Sequence, residues 1–388
     1  MQRITLEERS DWQRTADLMG FDFHTIEGER YWDERACYRF SDAQIDVLEA
    51  ATHSIHELCL AAVERVVRSD DLLTQLQIPA YFHDMIKDSW ARRDPHLYGR
   101  MDFSYDGIRP PKLLELNYDT PTSLLESAAF QLVWLEQRMV QGVLPKDADQ
   151  FNMVAEYLQA RFAELPDKQR AFHFSAISLS AEDRGTTEFL RRMAEQAGIQ
   201  TYHIDIEDIG LTSEGEFVDL EGRKIQRLFK LHPWEFIFVE PFGKAVPASN
   251  THFFEPAWKA ILSNKGILPI LWEMAPNHPN LLPSFIDSDP EKAVPAGWVR
   301  KPYLSREGAN VTLQTSEGEH IAAEGPYTDS PWILQELAPL PRFGDSYTLI
   351  GSWVIGDRAA GISIREDNTL ITRDSSRFLP HFIYDRVL

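Results

Sequence analysis

Tyr98-Gly99-Arg100-Met101-Asp102-Phe103, a turn at Asp106-Gly107, and Lys112-Leu113-Leu114-Glu115-Leu116-Asn117 read as two short strands that gather two carboxylates, an amide and a guanidinium. Residues two apart in a strand share a face, so Arg100 and Asp102 point one way together, as do Glu115 and Asn117. Met101, Phe103, Leu114 and Leu116 then take the opposite, core-facing side. The Asp-Gly pair between alternating apolar segments signals a hairpin, while Arg109-Pro110-Pro111 lengthens its loop beyond two residues. Three oxygen donors, Asp102, Glu115 and Asn117, suit a hard divalent cation such as magnesium, and Arg100 beside them can clamp a phosphate or carboxylate in bidentate fashion. A surface hairpin whose acids pair with lysines or face water fits the same letters equally well. The rest of the chain has to decide.

With 388 residues, 60 acidic against 39 basic and a net charge of -21, the chain is long enough for a large core. Its charge argues against nucleic acid or an anionic membrane as partner, since either polyanion would be repelled. Surface acidity favours a cationic substrate, although solubility alone accounts for it too. Two cysteines, Cys37 and Cys59, give no disulfide framework and no zinc spacing. No stretch approaches a membrane span and the N-terminus has no apolar signal core, so a soluble cytoplasmic protein is expected.

Outward from the hairpin, helical periodicity runs over Ser41 to Val67 and Leu124 to Val140, with a further helix expected from Asp147 to Leu165, stopped by Pro166. Ala171 to Ile177 reads as a strand and Ser180 caps a helix over Glu182 to Ala197, which Gly198 stops. Thr201 to Ile206 completes a β-α-β unit. It belongs to a small α/β lobe, 147–230, inside one catalytic region spanning 1–388. From Ile267 on, short strands are expected at Leu268 to Trp272, Trp298 to Lys301, Val311 to Gln314, Trp332 to Glu336, Tyr347 to Ile355 and Gly361 to Arg365.

Taken together, Y-G-R-M-D-F (98–103), E-L-N-Y-D-T-P-T-S (115–123), S-N-K-G-I-L-P-I-L-W (263–272), V-R-K-P (299–302), S-R-E-G-A-N (305–310) and G-I-S-I-R-E-D-N-T-L-I (361–371) resemble the glutathionylspermidine synthase family. The resemblance implies an ATP-grasp fold of α+β and α/β type, with 1–146 and 231–388 as core and flanking helices around the inserted pre-ATP-grasp-like lobe. It implies a ligase that activates a carboxylate as its acyl phosphate before an amine displaces phosphate. ATP is then the co-substrate and Mg2+, as two ions, the cofactor. The partners are a small peptide-like or glutathione-like acid and an amine of polyamine type. Some family members carry an N-terminal amidase; this chain has no room for one before its synthetase-like part, so hydrolysis of the product is expected to be absent.

By the same resemblance, Asp102, Glu115 and Asn117 are the magnesium ligands, and Arg100 and Arg365 stabilise the moving phosphoryl group. Their chemistry agrees, since phosphoryl transfer needs metal and guanidinium more than covalent help. Lys265 and Lys301 fall at positions of lysines on the phosphates and near adenine. Arg306 and Gly308 lie in a loop over the triphosphate, and Gln335, Glu336, Leu337 and Ala338 form the hinge that reads adenine between Leu349 and Leu370. Met101 belongs to this nucleotide set, although strand alternation turns its side chain to the core. Thr120, Thr122, Glu182 and Asp183 meet the acid. Where the family has a K-T-W-x-W-E-like segment, this chain reads Lys230-Leu231-His232-Pro233-Trp234-Glu235, so Leu231 replaces a glutathione-contacting threonine and the acid is open. A nucleotide-binding regulator without turnover and a phosphotransferase are the alternatives. The presence of Asp102, Glu115, Asn117, Lys265, Lys301 and Arg365 speaks against the first.

Overall fold

Strand Tyr98–Ser104, the central strand of the site, is an inner strand of a six-stranded antiparallel sheet, between edge strand Lys112–Asn117 and Ser346–Ile355. Arg358–Asp367 and Arg377–Leu379 continue it. The computed structural model describes residues 1–26, 28–373 and 375–386. Arg100 faces Asn117 and Asp102 faces Glu115 across the ladder, so the polar letters of the two strands converge as strand alternation requires. The register shifts between Asp102 and Phe103, which pairs Phe103 with Leu113. Leu114 is therefore the extra residue of a bulge, and Leu113, fully buried, takes the core position that simple alternation assigns to Leu114. Under the core face lies helix Asp42–Val66, started by a capping box between Ser41 and Gln44. Its Ile45, Leu48, Ile55 and Cys59 share one apolar cluster with Met101 and Phe103.

A second sheet is wholly parallel, in the order His252–Phe254, Arg227–Lys230, Phe172–Ala176, Thr201–Asp205. Helix Ala181–Gln196 makes the β-α-β crossover. Ser180 caps it by accepting the Asp183 amide at 3.2 Å, and Gly198 leaves it with φ +83°. The sheet takes its edge strand from 252–254, beyond Lys230. A third, five-stranded sheet is antiparallel: Ser284–Asp287, Trp332–Glu336, Trp298–Pro302, Thr312–Gln314, His320–Ala322.

Two expected elements are different. The apolar run Leu268 to Trp272 is part of helix Ile267–Met274. A short apolar run does not separate buried strand from buried helix, and the Asn264 side chain, accepting the Gly266 amide at 2.8 Å, turns the chain into the helix. The helix expected from Asp147 starts only at Val154, because Asp149 and Asn152 bridge to Ile383 and Gly361 instead. Among the described residues no helix is long and apolar enough to cross a membrane.

Candidate active site

Strands of the six-stranded sheet and the segments that follow strands of the other two line one cleft of about 390 Å³. Its floor is the polar face of the hairpin. Arg100 donates to both oxygens of Asp102 at 2.7 and 3.1 Å, and Asn117 Nδ2 donates to Asp102 at 3.0 Å and to Glu115 at 3.5 Å. Lys265, which donates to the Ser305 carbonyl at 2.5 Å, stands 3.4 Å from Glu115. Gly351 lies opposite Asp102 in the next strand, and a Cβ there would sit 2.9 Å from Arg100 Cδ, so the missing side chain makes room for the guanidinium.

Electrostatics divide the two carboxylates. Burial pushes Asp102 up despite the Arg100 charge, whereas Glu115 overcomes its burial and falls to about 2 because Lys265, Lys301 and Arg100 surround it. Burial also works against Arg100, but the Asp102 carboxylate outweighs it and the net shift is upward. Lys301 is lowered to about 8, by burial above all and then by Lys265. Neighbouring like charges that cannot all be neutralised by protein are what a cation or a polyphosphate would relieve. Asp102, Glu115 and Asn117 thus fit a divalent ion: two carboxylates and an amide that can turn its oxygen inward, within hydrogen-bond distance of one another. Among the described residues no group of three or more His, Cys, Asp and Glu forms a metal cage, so this mixed set with open positions is the candidate.

A narrower slot of about 100 Å³ opens from the cleft, sharing Glu115, Gly308 and Leu349 with it. Leu349 and Leu370 line it together with Gln335, Glu336, Leu337 and Ala338, and Lys301 crosses its end, donating to Gln335 at 2.8 Å and to the Leu114 carbonyl at 2.9 Å. The hinge and sandwich residues expected from the sequence therefore come together. Met101 does not join them: its side chain is fully buried in the core and lines neither space.

Thr120, Thr122, Glu182 and Asp183 line the far end of the cleft, as does Leu231, held by its amide on the Ser175 carbonyl at 2.8 Å. Arg306 lines the same cleft as Lys265 and Arg365. Its guanidinium donates to Thr120 at 3.0 Å and to Glu235 at 2.6 Å. Gly308, φ +71°, lets the same loop lie on the 371–372 backbone, where a Cβ would meet the Thr372 carbonyl at 2.8 Å. Arg365 lines the cleft above Tyr31, with its guanidinium 5.1 Å from the ring centre.

The glutathionylspermidine synthase pre-ATP-grasp family model matches residues 3–384. The chain belongs to the glutathionylspermidine synthase family. Membership makes it an enzyme of the carbon–nitrogen ligase type. It is 39% identical to a Haemophilus influenzae protein provisionally named an acid–amine ligase, over 98% of this chain and 99% of that protein. It is 29% identical to trypanothione synthetase of Crithidia fasciculata and 28% to the bifunctional glutathionylspermidine synthetase/amidase of Escherichia coli, over 84% and 88% of this chain. The matched regions span only 53% and 58% of those two proteins. A glutathione synthetase-like effector from Globodera pallida in apo form shares the fold, with TM-score 0.56 at 12% identity over 97% of this chain and 98% of that one.

In this family member several residues that shape the site received no role from the sequence motifs. Asp119 is fully buried, accepting from Lys230 at 2.6 Å and from the Trp234 amide at 2.8 Å, which ties the 118–123 loop to the parallel sheet. Glu255 accepts the amides of Leu97 and Tyr98 at 3.0 and 3.1 Å and pairs with Lys259 at 2.5 Å, anchoring the start of the central strand. Gly351 did carry a signal: an isolated glycine inside an apolar strand marks close approach.

Proposed function

We propose that the protein is an ATP- and magnesium-dependent ligase of ATP-grasp type that joins a small carboxylic acid to an amine through an acyl phosphate. One observation carries the reading. The cleft assembles Arg100, Asp102, Glu115, Asn117, Lys265 and Arg365 at a single surface, and it continues into a slot of leucines and main chain beside Lys301.

In this reading the slot takes adenine, and the phosphates run over Lys265 and the hairpin. Asp102, Glu115 and Asn117 would hold magnesium, whose charge, when bound, neutralises the triphosphate. The acid lies along Thr120 and Thr122 with its carboxylate toward Arg100 and Arg365. A carboxylate oxygen bonds to the γ-phosphorus while the bond to ADP breaks; the amine nitrogen then bonds to the acyl carbon and phosphate leaves with its bridging oxygen. Both arginines face charge that moves during these steps, where fixed cations act most strongly. Arg306, now on Glu235, would turn to a phosphate when the nucleotide binds.

ADP release screened against paired acids and amines tests the function: release should require both. With an acid labelled by oxygen-18 in its carboxylate, one labelled atom should appear in the phosphate. Unlabelled phosphate alongside amide product would rule the acyl phosphate out.

A further inference from the structure

One wall of the cleft carries a carboxylate that the roles above leave unused. Glu235 lies in the short helix Trp234–Ile237, whose first amide donates to the buried Asp119 at 2.8 Å, and both Glu235 and Phe236 line the cleft. The seat between them is filled by a cation of the protein's own. The Arg306 guanidinium donates to Glu235 at 2.6 Å and to Thr120 at 3.0 Å, and it stands 5.7 Å from the Phe236 ring centre. A carboxylate beside an aromatic face is what recognises an organic ammonium. The fit to arginine is incomplete. Its Nε is shut off from water with no hydrogen-bond partner among the described residues, and Phe236 is left 37% exposed. The next residue, Glu307, is held at φ +54°, in the left-handed region that side chains rarely adopt. Arg306 is thus a poorly satisfied occupant on a strained loop.

We propose that Glu235 and Phe236 form the seat for the non-reacting ammonium of a di- or polyamine substrate, and that Arg306 keeps it closed until a nucleotide draws the arginine away. The inference rests on the ligase reading. A polyamine brings several nitrogens, of which one must lose its proton to attack the acyl phosphate; the others stay charged at neutral pH and need an anion. Thr120, which the reading above gives to the acid, adjoins the seat, so acid and amine meet there. While Arg306 holds Glu235 the anion is taken, and two cations cannot share it. Once ATP attracts Arg306, the carboxylate is left without its partner inside the cleft, and the amine supplies one. Nucleotide and amine therefore favour each other, and the amine is kept out until the acid can be activated.

Equilibrium dialysis of labelled spermidine against the full chain, with and without magnesium and a non-hydrolysable ATP analogue, tests both halves. Wild type should bind spermidine about tenfold more tightly with the nucleotide present, and the analogue should gain by the same factor from spermidine. Equal affinities overturn the closure. Arg306→Ala should bind spermidine without nucleotide as well as wild type does with it, and a variant that still needs nucleotide overturns the closure too. Glu235→Gln should lose about tenfold in spermidine affinity while holding the analogue at least as well, since Arg306 loses its competing anion; unchanged spermidine affinity overturns the seat. Should that variant fail to fold, Phe236→Leu decides: without the ring's attraction for a cation it should lose about threefold, and no loss overturns the seat. A glycine-terminated tripeptide and its N-acetyl form are dialysed in parallel. A Glu235→Gln loss confined to the peptide with a free amino group would give the seat to the acid and overturn the assignment. A wild type that binds no analogue would strike the ligase reading, while spermidine binding by Arg306→Ala, which needs no nucleotide, still reports on the seat.

Discussion

Behind the start of the central strand the protein buries charge in closed pairs, whereas along its front face charge lies in an open cluster. Glu255 and Lys259 are both fully buried; the glutamate is saturated by two main-chain amides and the lysine also donates to the Tyr98 carbonyl at 2.5 Å. Asp119 and Lys230 repeat the pattern, with the lysine 4.6 Å from the Trp234 ring centre. Burial pushes both glutamate and aspartate up and both lysines down, yet each charge meets its partner one to one. In the cleft, by contrast, Asp102 divides its oxygens between Arg100 and Asn117, while Glu115, 30% exposed, has a 3.4 Å contact with Lys265 and a long bond to Asn117. Closed pairs fix geometry and have no capacity left for a ligand. Open clusters keep that capacity and depend on the closed pairs for their position.

The sharpest way to break this comparison is to remove one charge of each kind. Asp102→Ala and Glu115→Ala should abolish magnesium-dependent ATP turnover while thermal melts stay close to wild type, because the lost groups serve a ligand more than the fold. Near wild-type turnover from either variant, with a saturating acid and amine, would remove the metal assignment.

Lys259→Ala should do the reverse. Leaving Glu255 buried and uncompensated costs about 3–5 kcal/mol of stability, read as a shift of the urea midpoint, and activity falls with the folded fraction. A variant as stable as wild type would mean that the pair is not the anchor of the central strand.

Smaller effects are expected where charge is kept and shape is lost. Arg100→Lys and Arg365→Lys retain one positive charge without the planar fork, so turnover should fall about 10–10²-fold with ATP affinity little changed. Equilibrium nucleotide titration alongside single-turnover rates separates the two, and a loss confined to ATP affinity would place these arginines in binding alone.

The smallest change concerns the acid. Leu231 puts a buried apolar side chain at the cleft, where it can satisfy no polar group of a peptide, so glutathione should be a poor substrate. Leu231→Thr should improve kcat/KM for glutathione by about tenfold, the worth of one neutral hydrogen bond. Wild-type turnover of about 10 per second with glutathione and spermidine, an ordinary enzyme rate, would show that the leucine excludes nothing.

Much of the fold and most of the cleft were legible in the letters. The hairpin, the β-α-β unit and its Ser180 cap follow from periodicity and capping chemistry, which act over a few residues. Legibility failed where distant chain intervened. Leu114 left the core face because a bulge absorbs one residue, and Leu268 to Trp272 became helix because a run apolar on every side has no readable period. Asp149 to Asn152 gave up helix for bridges to residues more than 200 positions away. Arg306 was placed by its glycine-bearing loop, yet its partner, Glu235, lies in another sheet's connection and no local pattern announces it.

What the sequence determined by itself is the chemistry: which strands alternate, which acids and arginines share a face, and, through several motifs in order, which family holds the chain. Only the tertiary structure decided which charges are closed and which are open. Asp119 and Asp102 are the same residue type in neighbouring segments, but one meets Lys230, 111 positions on, and is extinguished as a ligand, while the other is left facing a cleft. Pairing and burial depend on contacts between distant segments, and desolvation decides whether a carboxylate is structural or chemical. That cost is set by the surrounding fold, not by the residue's own neighbours in the chain.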